Sequence, residues 1–316
     1  MQTEPNFPGC QINVAYHEKQ HQNGSHHLFR VSGSPAPAGQ ELSLEIPLWA
    51  TPPTENNGLT GPETKVGSKG FTANVSYPVL KVYRADAARN TGTAVLIAPG
   101  GGYGALAMRQ EGDPFAAWLA GQGITGVVLK YRMPNGHHRI PLEDAKQGMR
   151  LIREHAREWQ IDTARIGVMG FSAGGHLAAT LLTRYEATSR PAFGILFYPV
   201  ISFDDRWAHR GSVQNLLGAD STETMKTYYS NELQVTPQTP PTLLLLSNND
   251  GTVKPRNSIM FYEALRENRV LTALYIFPSG GHGWGFRDTF AYHEIMKTLI
   301  LQWIAELWPE QASAPK

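Results

Sequence analysis

The sequence predicts an α/β fold with a mostly parallel central sheet flanked by helices. Three observations carry that expectation. From Val79 onward, short apolar runs alternate with longer amphipathic stretches, the pattern of repeated strand–helix units. Most of the later runs are continuously apolar instead of alternating, as in strands covered on both faces. The stretches between them place apolar residues at steps of three and four, as in helices with one inward stripe.

The strand candidates are Val79–Tyr83, Ala94–Ala98, Gly126–Leu129, Ile166–Met169, Phe193–Phe197, Leu243–Leu246 and Ala273–Phe277. The clearest helix spans Leu142–Trp159, where Leu142, Ala145, Met149, Ile152, Ala156 and Trp159 share one face. Glu143 and Asp144 lie in its first turn, where the helix dipole favours negative charge. A last helix is expected from about Phe290 to Leu307, with Met296, Leu299, Ile300, Trp303 and Leu307 inward.

Residues 1–78 read as an irregular N-terminal extension packed on a main domain of residues 79–316. Gln11–Arg30 is polar and His-rich, and Ser32–Gly39 and Thr51–Gly70 are rich in turn-forming residues. Leu42, Leu44 and Ile46 alternate with Ser43 and Glu45 between them, as in a short half-buried strand. Residues 201–241 break the strand–helix rhythm and read as an insertion above the sheet ends, where loops commonly carry function.

Of the 316 residues, 41% are apolar and 17% charged, enough apolar material for a substantial core and too little charge for a disordered chain. The net charge is +1 and the basic residues are scattered, so no nucleic-acid partner is expected. No stretch approaches the roughly 18 apolar residues of a membrane span, so no membrane partner is expected either. The single cysteine, Cys10, forms no internal disulfide. The polar, Pro-rich start from Met1 to Cys10 leaves two compartments open. They are the cytoplasm if the chain is complete, and the periplasm or exterior if a signal peptide was removed.

Gly170-Phe171-Ser172-Ala173-Gly174 follows a predicted strand and opens a predicted helix of small residues. That is the setting of a nucleophile elbow, a tight turn that exposes a serine hydroxyl above the sheet. Side chains two residues before or after the serine would collide with neighbouring backbone, hence the glycines. A serine hydroxyl is a weak nucleophile and needs a base to take its proton. In this arrangement the acid and then the histidine follow the serine along the chain. His282, in the Gly-rich loop after Ala273–Phe277, is the candidate base; His293 falls in the last helix and is expected to face solvent. Asp250 is the carboxylate on the loop after Leu243–Leu246 and the candidate orienting acid. Asp204, Asp205 and Asp220 lie in the insertion instead. The competing reading of Asp250 is a turn residue in an Asn-Asp-Gly sequence. Pro99-Gly100-Gly101-Gly102-Tyr103 follows an early strand, so the amides of Gly101, Gly102 and Ala173 are the candidate oxyanion hole. Losing one such donor typically costs about 2.7–4 kcal/mol of transition-state stabilisation.

Several features point nowhere further. Gly102, Gly104 and Ala107 imitate a dinucleotide fingerprint, but the next strand ends Leu129-Lys130-Tyr131-Arg132 without the acidic residue such a site uses. His176 is read as structural. The pairs His26-His27 and His137-His138 lack zinc-site spacing and are read as solvated loop residues. No metal and no organic cofactor is expected.

The sequence resembles the α/β-hydrolase carbohydrate esterases, the acetyl-xylan esterase group related to the hormone-sensitive-lipase-like enzymes. The matching stretches, in chain order, are Pro99–Tyr103, Leu129–Arg132, Arg165–Leu177, Tyr198–Val200, Asn215–Gly218, Thr239–Thr242 and His282-Gly283. The resemblance places the triad on Ser172, Asp250 and His282 and the oxyanion donors on Gly101, Gly102 and Ala173. There are departures. Asn249 stands where the group often has a first acid, Lys254 where a proline often follows Val253, and Pro99 where relatives have histidine. The resemblance implies a serine carboxylic-ester hydrolase that removes short acyl groups, acetyl above all, from xylan or pectin or their oligosaccharides. Tyr103, Trp207 and Trp284 are the candidates for stacking on sugar rings. Two other readings compete: a peptidase of the same fold, and an inactive hydrolase fold that serves as a binding module.

Overall fold

The computed structural model describes residues 43–53 and 55–309. The readings made on Cys10, residues 11–40 (His26 and His27 included) and Leu42 lie outside the described residues.

In chain order the strands are β1 (Ser43–Pro47), β2 (Thr64–Val66), β3 (Phe71–Ala73), β4 (Val79–Tyr83), β5 (Ala94–Ala98), β6 (Ala105–Leu106), β7 (Thr125–Lys130), β8 (Ile166–Phe171), β9 (Gly194–Phe197), β10 (Thr242–Ser247) and β11 (Thr272–Phe277). The helices are α1 (Asp113–Gly121), α2 (Ile140–Glu154), α3 (Ala156–Trp159), α4 (Ser172–Thr183), α5 (Arg210–Leu217), α6 (Glu223–Tyr229), α7 (Arg256–Glu267) and α8 (His293–Glu306).

Eight strands form the central sheet in the order β1-β4-β7-β5-β8-β9-β10-β11. β4 pairs antiparallel with both β1 and β7, and every other pairing is parallel. Every residue of β5, β8, β9 and β10 is buried. Successive side chains point to opposite faces, so these strands are covered on both sides. That accounts for their unbroken apolar runs. β11 closes one edge and leaves Tyr275 and Ile276 exposed.

The division expected at residue 78 does not follow the sheet. β1 pairs along its whole length with β4, from Ser43 opposite Tyr83 to Pro47 opposite Val79. The sequence separates them by a Pro- and Gly-rich stretch, and that stretch is itself pinned down. The Asn57 amide donates to the carbonyls of Val75 and Met133, and Arg132 donates to the Glu55 carbonyl. Further along, β2 and β3 join β6 in a small antiparallel sheet.

The helix expected over Leu142–Trp159 is broken at His155 into α2 and α3. Its stripe survives the break, because Met149, Ile152, Ala156 and Trp159 all stay buried. Asp144 is not a solvated first-turn charge. Its carboxylate is buried against the Arg132 guanidinium at 2.6 Å and accepts a hydrogen bond from the Trp49 indole. Residues 201–241 carry α5 and α6, and their side chains reach the glycine loop described below.

Candidate active site

β8 runs without a linker into α4, and Ser172 is the joint. Its φ of 52° lies in the left-handed region, which costs a non-glycine residue about 1–3 kcal/mol. The surroundings hold it there. A Cβ at Gly170 would meet the Gly174 carbonyl, and one at Gly174 would meet the Ala98 carbonyl, so neither position admits a side chain. Next to the serine, the Phe171 ring stacks on Phe197 with centroids 4.5 Å apart.

The loops after β10 and β11 bring the other two groups to this joint. His282 Nε2 lies 2.9 Å from Ser172 Oγ, and His282 Nδ1 lies 2.7 Å from Asp250 Oδ2. An ionised carboxylate only accepts, so Nδ1 carries the proton and Nε2 is free to accept the serine's. The Asp250 side chain is fully buried, whereas that of His282 stays 17% exposed and open to a reactant. The turn reading of Asp250 also holds, because the carboxylate divides its work. Oδ1 accepts from the amides of Thr252 and Val253, each at 2.9 Å, while Oδ2 faces the imidazole. Those two backbone bonds fix the carboxylate before it meets the histidine.

The glycine loop after β5 turns back on itself. Gly101 has φ 130°, and its carbonyl accepts from the amides of Gly104 and Ala105. A Cβ on Gly101 would strike the Ala105 carbonyl, so only glycine fits. Among the hydrogen bonds of the described residues, the amides of Gly101 and Gly102 donate to nothing. Ala173 is the second residue of α4, where an amide has no intrahelical acceptor. Three unengaged donors therefore sit on the two chain segments that flank the serine.

The sugar-stacking expectation fails for two of its three residues. Tyr103 is 2% exposed and its hydroxyl bonds His176 Nδ1 at 2.9 Å. It lines a cavity of about 220 Å³ with Gly104, Met133, Asn135 and Asn215, but it leaves no ring face free. Trp284 is 1% exposed, stacked on Phe290 at 4.1 Å, and its indole donates to Ser247 Oγ. It fastens the His282 loop to the end of β10. Trp207 is half-exposed beside a cavity of about 390 Å³ that Asp204, Glu223 and Lys226 also line.

The other histidines are mostly structural. His176 is fully buried, stacks on Phe203 at 4.4 Å, and bonds the Tyr229 carbonyl through Nε2. Burial pushes its pKa down to about 4, so it is neutral. His138 is not a solvated loop residue, since it is half-buried with Nδ1 2.8 Å from the Tyr229 hydroxyl. His293 does not face solvent either. It begins α8 with its ring against Phe286 and its side chain only 12% exposed. Among the described residues, no group of three or more His, Cys, Asp or Glu side chains is arranged to hold a metal ion.

Four further residues, none of them a sequence candidate for the site, shape its loops. The carboxylate of Glu111, in the π-helical turn Met108–Gly112, accepts from the Gly100 amide at 2.8 Å. Asn249 Oδ1 accepts from the Gly281 amide, and the Asn215 side chain donates to the Gly102 carbonyl. His209 caps α5 and stands beside Gly102, where a Cβ would come within 3.6 Å of its ring. Burial, and then the neighbouring His282, hold its pKa below the usual value. Asn215 falls inside a stretch that carries the resemblance and Asn249 at one of its departures, but neither is marked there for this contact, and Glu111 and His209 stand in no motif.

A model of the prolyl oligopeptidase family, Peptidase_S9, matches residues 133–308, more than half of the 316-residue chain. The chain belongs to the prolyl oligopeptidase family. The part matched by this family contains Ser172, Asp250 and His282. Within the wider set of relatives, the chain is 39% identical over 221 residues to an acetylxylan esterase of Xylanibacter ruminicola, covering 69% of this chain and 46% of that protein. It is 37% identical over 204 residues to endo-1,4-β-xylanase B of Butyrivibrio fibrisolvens, covering 60% and 32% respectively. The chain thus spans less than half the length of either curated relative. Among solved structures, an acetyl ester-xyloside bifunctional hydrolase from Caldicellulosiruptor lactoaceticus matches with a TM-score of 0.72 at 34% identity, over 83% of this chain and 96% of that one. The fold is that of the α/β-hydrolases.

Proposed function

We propose that this protein is a serine carboxylic-ester hydrolase that removes acetyl groups from xylan or its oligosaccharides. The observation that carries the reading is the unbroken line from Ser172 Oγ through His282 to Asp250, with bonds of 2.9 and 2.7 Å. Ser172 attacks the ester carbonyl while His282 Nε2 takes its proton. Asp250 holds the imidazole in the required tautomer and stabilises the imidazolium that forms. The amides of Gly101, Gly102 and Ala173 receive the charge on the carbonyl oxygen. His282 then returns the proton to the leaving alcohol, and water repeats the two steps on the acyl-enzyme. The acetylxylan esterase and acetyl ester-xyloside hydrolase among the similar proteins support acetyl as the acyl group and xylan as the carrier.

Acetate release from acetylated xylan, acetylated pectin and acetylated xylo-oligosaccharides, run beside aminoacyl arylamides, tests this reading. It predicts acetate from the xylan substrates and none from a Ser172→Ala control. Cleavage of arylamides alone would instead make the chain a peptidase, as its family's name suggests.

A further inference from the structure

Glu111 is buried, with 4% of its surface exposed, directly behind the nucleophile. Its two carboxylate oxygens serve two different loops. Oε2 accepts from the Gly100 amide at 2.8 Å, and Oε1 accepts from the Tyr198 hydroxyl at 2.8 Å. Tyr198 Oη in turn accepts from the Gly285 amide at 3.0 Å. Gly100 immediately precedes the glycines of the candidate oxyanion hole, and Gly285 lies three residues past His282. The contact is close. A Cβ on Gly100 would fall 2.8 Å from Glu111 Oε2 and 2.9 Å from Ser172 Cβ. A second bond, from the Phe286 amide to the Gln110 carbonyl at 2.9 Å, ties the same turn to the His282 loop. The Tyr198 ring and the His282 imidazole also meet at a steep angle, with centroids 4.8 Å apart.

The donor count fixes how this network runs. The Gly285 amide can only donate, so Tyr198 accepts there and sends its own proton to Glu111. The Gly100 amide also donates. With Glu111 ionised, both carboxylate oxygens therefore accept and every donor in the network is paired. Burial pushes the Glu111 carboxyl above its ordinary value, and the bonds from Tyr198 and Gly100 pull the other way. The π-helical turn leads directly into α1, and such turns are frequent at functional positions.

We infer that Glu111 is a positioning residue for the Ser172–His282 centre. Through Gly100 it fixes the loop that carries Gly101 and Gly102, and through Tyr198 and Gly285 it fixes the loop that carries His282. The inference rests on the reading of Ser172 and His282 as the reacting pair. Glutamine at 111 keeps the volume but has one accepting oxygen instead of two. With its oxygen towards Gly100, its amide meets Tyr198 and turns the hydroxyl proton away without an acceptor; with its amide towards Gly100, two donors face each other.

The test is steady-state hydrolysis of 4-nitrophenyl acetate by the full chain carrying Glu111→Gln, Tyr198→Phe, or both. Folding is checked by circular dichroism and thermal unfolding. With a buried donor left unpaired, kcat per folded molecule should fall roughly 10- to 100-fold in E111Q and about 10-fold in Y198F. KM should stay within about twofold, and the double variant should fall no further than E111Q alone, since the two residues act as one unit. If E111Q does not fold, Y198F carries the test. A kcat within about twofold of the wild type in the folded variants, or a loss confined to KM, overturns the inference and leaves the triad reading intact. A folded wild type that neither hydrolyses the ester nor reacts with a fluorophosphonate overturns both.

Discussion

Asn249 Oδ1 accepts a hydrogen bond from the Gly281 amide at 2.9 Å, joining the loop of Asp250 to the loop of His282 one residue before each. The bond needs only an acceptor at residue 249. Asn249→Ala should therefore loosen the Asp250–His282 alignment and lower kcat roughly 5- to 10-fold, about the worth of one hydrogen bond. Asn249→Asp keeps the acceptor and should stay within about twofold of the wild type. Kinetics on 4-nitrophenyl acetate read both, and an inactive N249D would contradict this account of the position.

The Arg132–Asp144 pair fastens the end of β7 to α2. Arg132 meets Asp144 through its guanidinium and its own amide, and Trp49 adds a third donor. Both side chains are nearly inaccessible, at 4% and 0%. Removing one partner strands the other charge in the interior. Asp144→Ala should cost about 3–5 kcal/mol in denaturant unfolding. A loss under about 1 kcal/mol would mean that water reaches the guanidinium.

His176 makes stability depend on pH. Its pKa is about 4 in the folded protein against 6.5 for a free histidine, through burial first. Above pH 6.5 the ring is neutral in both states. As pH falls from 6.5 towards 4 the unfolded chain binds a proton that the folded chain refuses. Stability is lost over that window, by on the order of 3 kcal/mol from this group. Urea unfolding at pH 7 and pH 4.5 should show the loss. A His176→Phe variant, which keeps the stack on Phe203 but does not titrate, should be less stable at pH 7 and show a smaller change between the two conditions. An identical change in both proteins would remove His176 as the cause.

The parts of this molecule legible in its sequence are those where one constraint acts locally. β4 and β5 fall where the apolar runs put them, at Val79–Tyr83 and Ala94–Ala98. Gly170 and Gly174 announce the elbow, because a side chain at either position would meet backbone. Ser172, Asp250 and His282 sit at strand ends in a chain order that the fold imposes. What the sequence leaves silent depends on contacts between distant segments. β1 joins the main sheet across a Pro-rich stretch, and no local pattern reports that pairing. Trp284 and Tyr103 look like exposed loop aromatics, yet each is anchored inward by a partner, Ser247 and His176, from another part of the chain. Glu111 is one acid among many until the fold brings Gly100 and Tyr198 to it.

The central claim is that Ser172 is a nucleophile activated by His282. Labelling with a fluorophosphonate probe, followed by peptide mass spectrometry, tests it most directly. One adduct is expected, on the peptide containing Ser172, lost in Ser172→Ala and strongly slowed in His282→Ala. A folded wild type that stays unlabelled, or an adduct on any other residue, would contradict it.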